Sequence, residues 1–238
     1  MSKLLLSNAL RTYIPGKTLV LALGLAGLAY QASAVPVTVQ EVGIGANEVV
    51  EMTTSTGNTV GTHWVYAGSV SLLVNGAATT GFCIDPFHWS ITGSQSYDAE
   101  ALSVGPKPPG GPMGDATALK IEQLWAKYYS SDITGQNAAG LQIAIWELVG
   151  GANFQLNSSP DYGAGDMLNW VNNNSSATAA DLIGLTGPGQ DYVIPNFSSQ
   201  SRTSVPDGGQ TALLLGFGLL GLVAARSRFP KLAHGRQS

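Results

Sequence analysis

Residues 63–85 read HWVYAGSVSLLVNGAATTGFCID, and this stretch predicts the β-hairpin from which the rest of the fold is built. Its first half places apolar residues in period two, which is typical of a strand with one buried face. Asn75-Gly76 follows, the strongest short signal for a two-residue hairpin turn. The return strand carries Cys83 near its end, and the two residues beside Cys83 face the other side of the sheet.

The second half of the chain changes to the period of helices. An amphipathic helix is predicted from an apolar face at i, i+3, i+4 and i+7, made by Ile121, Leu124, Trp125 and Tyr128. After a break at Gly135, a second helix is predicted from an N-cap at Asn137 to Val149. A shorter helix at 165–171 and a closing strand at 189–194 complete the domain. Strands are also predicted within 35–50, with a turn at 57–58.

Residues 104–114 separate the two halves and contain four prolines and four glycines. This composition predicts an exposed loop of polyproline character without regular structure, or alternatively a linker between two domains. With a loop here, we expect an α+β fold: an antiparallel β-barrel or sandwich-like sheet with an inserted helical subdomain. A signal helix would flank this domain at the N-terminus and a hydrophobic helix at the C-terminus.

The N-terminus has the three parts of a secretory signal peptide. Lys3, Arg11 and Lys17 precede the apolar run 19–29, and Ala32-Ser33-Ala34 supplies an A-x-A cleavage site. We therefore predict a signal peptide over residues 1–34, cleaved after Ala34. A permanent N-terminal anchor is the alternative, but its apolar run is shorter than the ~20 residues that a spanning helix needs.

The C-terminus has a motif, an uncharged apolar run at 211–225 and a basic tail that begins at Arg226. The motif consists of Val205, Pro206, Asp207, Gly208 and Gly209. This order resembles the PEP-CTERM class of sorting signals in its Val-Pro-Asp-Ser-Gly variants, with Gly208 where the commoner variants have serine. The resemblance implies processing of residues 205–238 by a sorting protease or transpeptidase of the exosortase type, with the basic tail cytoplasmic. A permanent C-terminal anchor is the alternative.

Residues 35–197 then form the folded domain, and residues 198–204 form a polar tether. Between residues 35 and 204, fourteen acidic residues stand against four basic ones, a net charge of −10. Such a surface disfavours nucleic acid and anionic lipid as partners, so membrane contact is expected only through the C-terminal helix. We expect an exported protein, transiently anchored in the inner membrane and then at the cell surface or outside the cell.

Cys83 is the only cysteine of the chain. Exported proteins use cysteine mainly in pairs, so a single one suggests an intermolecular partner or a reactive sulfur. A small buried hydrophobe is the alternative. Gln142 is also unusual, because helix geometry places it at the edge of the apolar face of the second helix. Its amide either faces water or bonds a backbone group, since burying it unpaired costs about 1–3 kcal/mol.

Phe82-Cys83-Ile84-Asp85 and Gln142-x-Ala144-Ile145-Trp146 together resemble the paired motifs of the thioester domains of bacterial surface adhesins. Leu141 stands where that family commonly has threonine, and the resemblance covers about residues 62–194. It implies that Cys83 attacks the side-chain carbonyl of Gln142 and expels ammonia. The resulting internal thioester would capture an amine of a surface protein or a hydroxyl of a polysaccharide.

This capture would be a single-use reaction, so we expect no enzyme, no cofactor and no metal. The alternative is a non-reactive surface or matrix protein with the same fold. A cysteine hydrolase would need a histidine base near Cys83, and neither His63 nor His88 has an Asp or Asn partner that the sequence singles out. One cysteine and three scattered histidines also lack the spacing of a metal site.

Overall fold

The predicted hairpin is confirmed in a computed structural model that describes residues 34–107 and 111–197. Strand β2 (Gly61–Val74) pairs antiparallel with β3 (Ala77–Cys83) across the turn. Asn75 and Gly76 have φ values of 50° and 82°, the left-handed conformation that a type I′ turn requires. The amide side chain of Asn75 also accepts a hydrogen bond from Thr38 N at 2.9 Å, which ties the turn to the first strand.

The sheet around this hairpin has seven antiparallel strands in the order β2-β3-β9-β8-β4-β1-β7. The other strands are β1 (Val35–Thr54), β4 (Ser94–Ala101), β7 (Phe154–Leu156), β8 (Leu182–Thr186) and β9 (Tyr192–Pro195). β1 is long enough to pair along part of its length with β4 and along most of it with β2. The α+β class and the antiparallel sheet are therefore confirmed, whereas β4, β7 and β8 were not predicted.

Three helices follow β4 in the chain: α1 (Gly114–Tyr128), α2 (Gly135–Gly150) and α3 (Ala164–Asn173). The predicted apolar face of α1 is buried apart from the half-buried Tyr128. The predicted N-cap of α2 is wrong. Thr134 is the cap, because its side chain accepts the hydrogen bond of Asn137 N, and Gly135 is the first helical residue instead of a break.

Residues 104–114 differ from the irregular loop that their composition predicts. β5 (Pro106–Lys107) and β6 (Gly111–Pro112) form a small antiparallel pair, preceded by a 3₁₀ turn at Leu102–Val104. Two prolines can face each other there because a strand at a sheet edge does not need every N–H for pairing. The expectation of no regular structure is therefore wrong on both sides of residues 108–110.

The buried side chains form two clusters. The larger one lies between the sheet and the helices and contains both Cys83 and the apolar face of α2. The smaller one consists of strand residues alone, among them Leu72 and Tyr192. Cys83 pairs in register with Tyr192, so the cysteine lies where the two clusters adjoin.

In the part of the chain that the structure describes, no helix is both long and apolar enough to cross a membrane. The predicted signal helix and C-terminal hydrophobic helix lie outside that part. The predicted tether and residues 205–238 also lie outside the part that the structure describes. Ala34 is the first residue of that part.

Candidate functional site

Cys83 and Gln142 meet in the interior, at the junction of β3 and α2. The side chain of Gln142 makes two hydrogen bonds to the backbone of Cys83. Gln142 Oε1 accepts from Cys83 N at 2.9 Å, and Gln142 Nε2 donates to Cys83 O at 2.7 Å. Cys83 is 3% exposed and Gln142 is 1% exposed. The two residues that the sequence singles out are thus brought together without bulk water around them.

These two bonds explain how a glutamine is accommodated in the middle of an apolar helix. α2 is buried on nearly all sides, so Gln142 lies deeper than the edge position that the helix pattern predicts. Its amide bonds a backbone group, which is one of the two possibilities that the sequence left open, and that backbone belongs to Cys83. An unpaired amide there would cost about 1–3 kcal/mol.

The Cys83 thiol is held in its neutral form. Burial raises its pKa well above the usual value, and the negative charges that Asp85 and Asp191 carry when they ionise raise it further. The backbone N–H of Asp85 donates to Cys83 Sγ at 3.3 Å and acts in the opposite direction. A raised pKa disfavours the thiolate that a cysteine hydrolase needs.

Trp146 lies one helical turn after Gln142 and contributes an unpaired donor. It is 3% exposed, and its Nε1–H has no hydrogen-bond partner among the described residues. The indole still lowers the pKa of Cys83, so its N–H is directed toward Cys83 Sγ without meeting the full geometry of a hydrogen bond. A buried polar group without a partner is unusual and marks this side of the site as incomplete.

Asp85 and His88 form a pair that the sequence did not reveal. His88 Nδ1 lies 2.7 Å from Asp85 Oδ2, and Asp85 Oδ1 accepts from Phe87 N at 3.0 Å. Asp85 is 2% exposed, whereas the His88 side chain is 47% exposed. Burial raises the pKa of Asp85, although the hydrogen bond from His88 lowers it. The statement that His88 has no identifiable Asp partner is therefore wrong, because the turn after β3 brings the two side chains together.

Asp191 is a second buried carboxyl beside the cysteine strand. Its backbone carbonyl accepts from Ile84 N at 2.9 Å, and its Oδ1 accepts from Gly187 N at 2.8 Å. Burial raises the pKa of Asp191 to about 8, with smaller contributions from Asp85 and Glu100. No pattern in the sequence marks this residue, because its burial follows from the pairing of β9 with β3.

A pocket of about 230 Å³ opens next to this site. Its wall carries the aromatic side chains of Trp64, Tyr66 and Trp89, and its lining also includes His88 and Trp146. Cys83 and Gln142 do not line the pocket. Trp146 therefore lies in the wall of the pocket and one helical turn from Gln142.

The described residues contain no group of three or more His, Cys, Asp or Glu side chains that could hold a metal ion. The predicted sorting residues Val205 to Gly209 lie outside the described residues, so no geometry is assigned to them.

Comparisons with known proteins agree with both resemblances in the sequence. Residues 204–229 match the VPDSG-CTERM motif, which confirms the C-terminal sorting motif. No curated protein sequence gives a significant match. One similar solved structure is the N-terminal thioester domain of a surface protein from Clostridium perfringens. It aligns with a TM-score of 0.38 and 13% identity, over 63% of this chain and 99% of that domain.

A second similar structure is the thioester domain of the Staphylococcus aureus TIE protein. It aligns with a TM-score of 0.42 and 16% identity, over 67% of this chain and 92% of that domain. Both structural neighbours are bacterial thioester domains, as the sequence resemblance implies. The function is argued from the geometry of the site, because both TM-scores are below 0.5.

Proposed function

We propose that this is an exported surface protein that captures a partner covalently through a thioester between Cys83 and Gln142. The observation that carries the proposal is the reciprocal pair of hydrogen bonds between the Gln142 amide and the Cys83 backbone. It holds the side-chain carbonyl of Gln142 beside the one cysteine of a chain whose acidic domain and sorting motif suit the outside of the cell.

The geometry supports thioester formation in two ways, through an oxyanion donor and through proximity. Cys83 N–H already bonds Gln142 Oε1, so the same donor would stabilise the oxyanion when Sγ adds to Cδ of Gln142. The thiol proton passes to Nε2, the Cδ–Nε2 bond breaks and ammonia leaves. An amide is a poor electrophile, but fixing both groups can supply effective molarities of ~10⁵–10⁸ M.

Capture would then consume the thioester once. An amine or hydroxyl of the partner attacks Cδ, the C–S bond breaks and Cys83 regains its proton. The product is an amide or ester between residue 142 and the partner, and the protein does not return to its starting state. We therefore propose a covalent adhesin and not an enzyme.

The destination follows from the C-terminal motif. We propose that the apolar run 211–225 holds the precursor in the inner membrane until an exosortase-type enzyme acts near Pro206-Asp207. We also propose that the sheet closes in a barrel-like manner, because β1 pairs with both β4 and β2. Such closure would hold β3, and with it Cys83, rigidly against α2.

Intact mass of the mature protein tests the thioester directly. We expect a mass lower than that of the sequence by one ammonia, and methylamine should then add across the bond. Peptide mapping should place the cross-link between Cys83 and Gln142. Cys83→Ser and Gln142→Leu should have their full masses and ignore methylamine, whereas Gln123→Leu should behave as wild type because it removes a buried glutamine elsewhere. A wild-type protein of full mass with an alkylatable Cys83 would instead favour the non-reactive surface protein.

A further inference from the structure

Exposed aromatic side chains are concentrated at the pocket beside the proposed thioester. Among the described residues, the aromatic side chains exposed most are Trp64 at 67%, Tyr66 at 58% and Trp89 at 42%, and all three line this pocket. Large aromatic rings gain free energy by burial, so three left in solvent at one place mark a binding surface. Trp64 and Tyr66 project from the same face of β2 because they are two residues apart.

The polar part of the same lining provides a base. When Asp85 is ionised, its Oδ2 can only accept a hydrogen bond, which leaves the proton of a neutral His88 ring on Nδ1. His88 Nε2 is then the basic nitrogen of the ring, and this side chain is about half exposed in the pocket. The backbone of Asp85 contacts Cys83 Sγ at 3.3 Å, so the residue that orients His88 also touches the sulfur.

We propose that the pocket binds a neutral sugar of the partner and that His88 takes the proton from the sugar hydroxyl that attacks the thioester. This inference rests on the proposed function, because it concerns the partner of the same bond. The C–H faces of a sugar ring would pack on the aromatic wall, and Ser90 and Gln190 line the same pocket as hydrogen-bonding groups. The domain's net charge of −10 disfavours an anionic polysaccharide.

The step balances without any other reactant. The hydroxyl oxygen attacks Cδ of Gln142 while its proton moves to His88 Nε2. The C–S bond breaks, and its electron pair goes to Cys83 Sγ. His88 then returns the proton to that sulfur, which leaves an ester on residue 142, a free thiol and a neutral imidazole.

A lysine side chain is the competing partner, because aromatic faces also attract cations. Glu41 is the carboxylate in the lining, and Tyr192 Oη donates to its Oε2 at 2.8 Å. One accepted hydrogen bond leaves a carboxylate able to pair with an ammonium group, so the preference for a hydroxyl rests on His88. A hydroxyl also benefits most from a base, because it is a weaker nucleophile than a free amine.

The first experiment compares three nucleophiles on protein that carries the thioester by mass: methylamine, glycerol and maltotriose. In His88→Gln we expect ester formation with glycerol and maltotriose to fall about 100-fold, the contribution of a general base. Methylamine should still add within about twofold of the wild-type rate, since the free amine needs no base. His63→Gln removes the other imidazole of the described residues and should leave the glycerol rate unchanged.

The second experiment tests whether the aromatic wall of the pocket binds the sugar. Trp64→Ala and Tyr66→Ala should each raise the maltotriose concentration for half-maximal rate about tenfold or more, a loss of ~1.4 kcal/mol in binding. Both variants should change the glycerol rate less than the maltotriose rate. Phe197→Ala removes an exposed aromatic side chain outside this pocket and should change neither rate.

The outcomes separate the two ideas. Wild-type protein of full mass overturns the thioester and this inference together. A thioester whose hydroxyl transfer is unaffected in His88→Gln overturns the inference alone. So does a His88→Gln protein that also loses methylamine addition, which would show a structural role for His88. Maltotriose that reacts no better than glycerol would overturn the sugar site. A lysine peptide that outcompetes maltotriose would assign the pocket to an amine.

Discussion

Opening the proposed thioester with methylamine should destabilise the protein by a predictable amount. The bond would join residues 59 positions apart in the chain. Cross-linking a loop of that length removes about 4 kcal/mol of chain entropy from the unfolded state. The thioester lacks the Nε2 donor, so Cys83 O loses its hydrogen bond, at a cost of about 1 kcal/mol. The net stabilisation lost on opening is therefore about 3 kcal/mol.

The assay is thermal unfolding before and after methylamine, with intact mass recorded on each sample. For a domain of about 160 residues, each kcal/mol shifts Tm by about 2–4 °C, so treatment should lower Tm by about 6–12 °C. Cys83→Ser provides the matched control. It cannot form the bond, so its Tm should lie near that of treated wild type and should not respond to methylamine.

Two results would refute this reasoning. A wild-type sample that loses its thioester by mass but keeps its Tm would show that the cross-link does not restrict the unfolded chain. An equal drop of Tm in Cys83→Ser would show that methylamine acts on the protein in some other way.

Three further predictions concern the buried side chains of Gln142 and Asp191 and the C-terminal sorting motif. Gln142→Leu should unfold about 2–6 kcal/mol more easily than methylamine-treated wild type in urea, because it leaves Cys83 N and O unpaired in the interior. Gln123→Leu should lose less, since its two carbonyl partners are only partly buried. Asp191 has a pKa raised to about 8 in the folded state, so between about pH 4 and 8 only the unfolded chain ionises it, and the free energy of unfolding falls as pH rises through that range. Asp191→Asn should flatten urea stability over that range, and an unchanged slope would contradict the assignment. Replacing Pro206, Asp207 and Gly208 by alanine should make full-length precursor accumulate in the membrane on immunoblots, whereas wild-type mature protein that keeps its tail would indicate permanent anchoring.

The elements that the sequence predicted are those whose signal is local. The hairpin at Asn75-Gly76 and the apolar face of α1 depend on neighbours within a few residues. β4 and β8 were missed because they have few alternating apolar residues and exist through pairing with β1 and with each other. The cap of α2 was placed three residues late because Thr134, outside the apolar pattern, supplies the side chain that bonds Asn137 N.

The same distinction between local signals and long-range contacts applies to the candidate site. Cys83 and Gln142 were noticed because each is chemically out of place in its own segment: one cysteine in an exported chain, and one amide in an apolar helix. They were predicted to react with each other only because both motifs resemble those of thioester domains. The groups around them could not be predicted, because no local sequence signal marks them. The Asp85–His88 contact depends on the turn after β3, and the burial of Asp191 depends on β9 lying beside β3. The depth of Gln142 depends on a partner 59 residues away.

Burial of the reacting pair explains how an activated acyl group could persist in water and still react with a partner. Water hydrolyses thioesters, so a useful one has to be kept dry until it is needed. Cys83 and Gln142 are 3% and 1% exposed, and Trp146 lies in the wall of the pocket one helical turn from Gln142. The same burial raises the pKa of Cys83, so the sulfur leaves readily only when a proton reaches it. In the proposed state, a hydroxyl nucleophile therefore needs two things at once: passage beside Trp146 and a proton carrier in the pocket. A partner held on the aromatic wall next to His88 meets both conditions, whereas a passing water molecule meets neither for long.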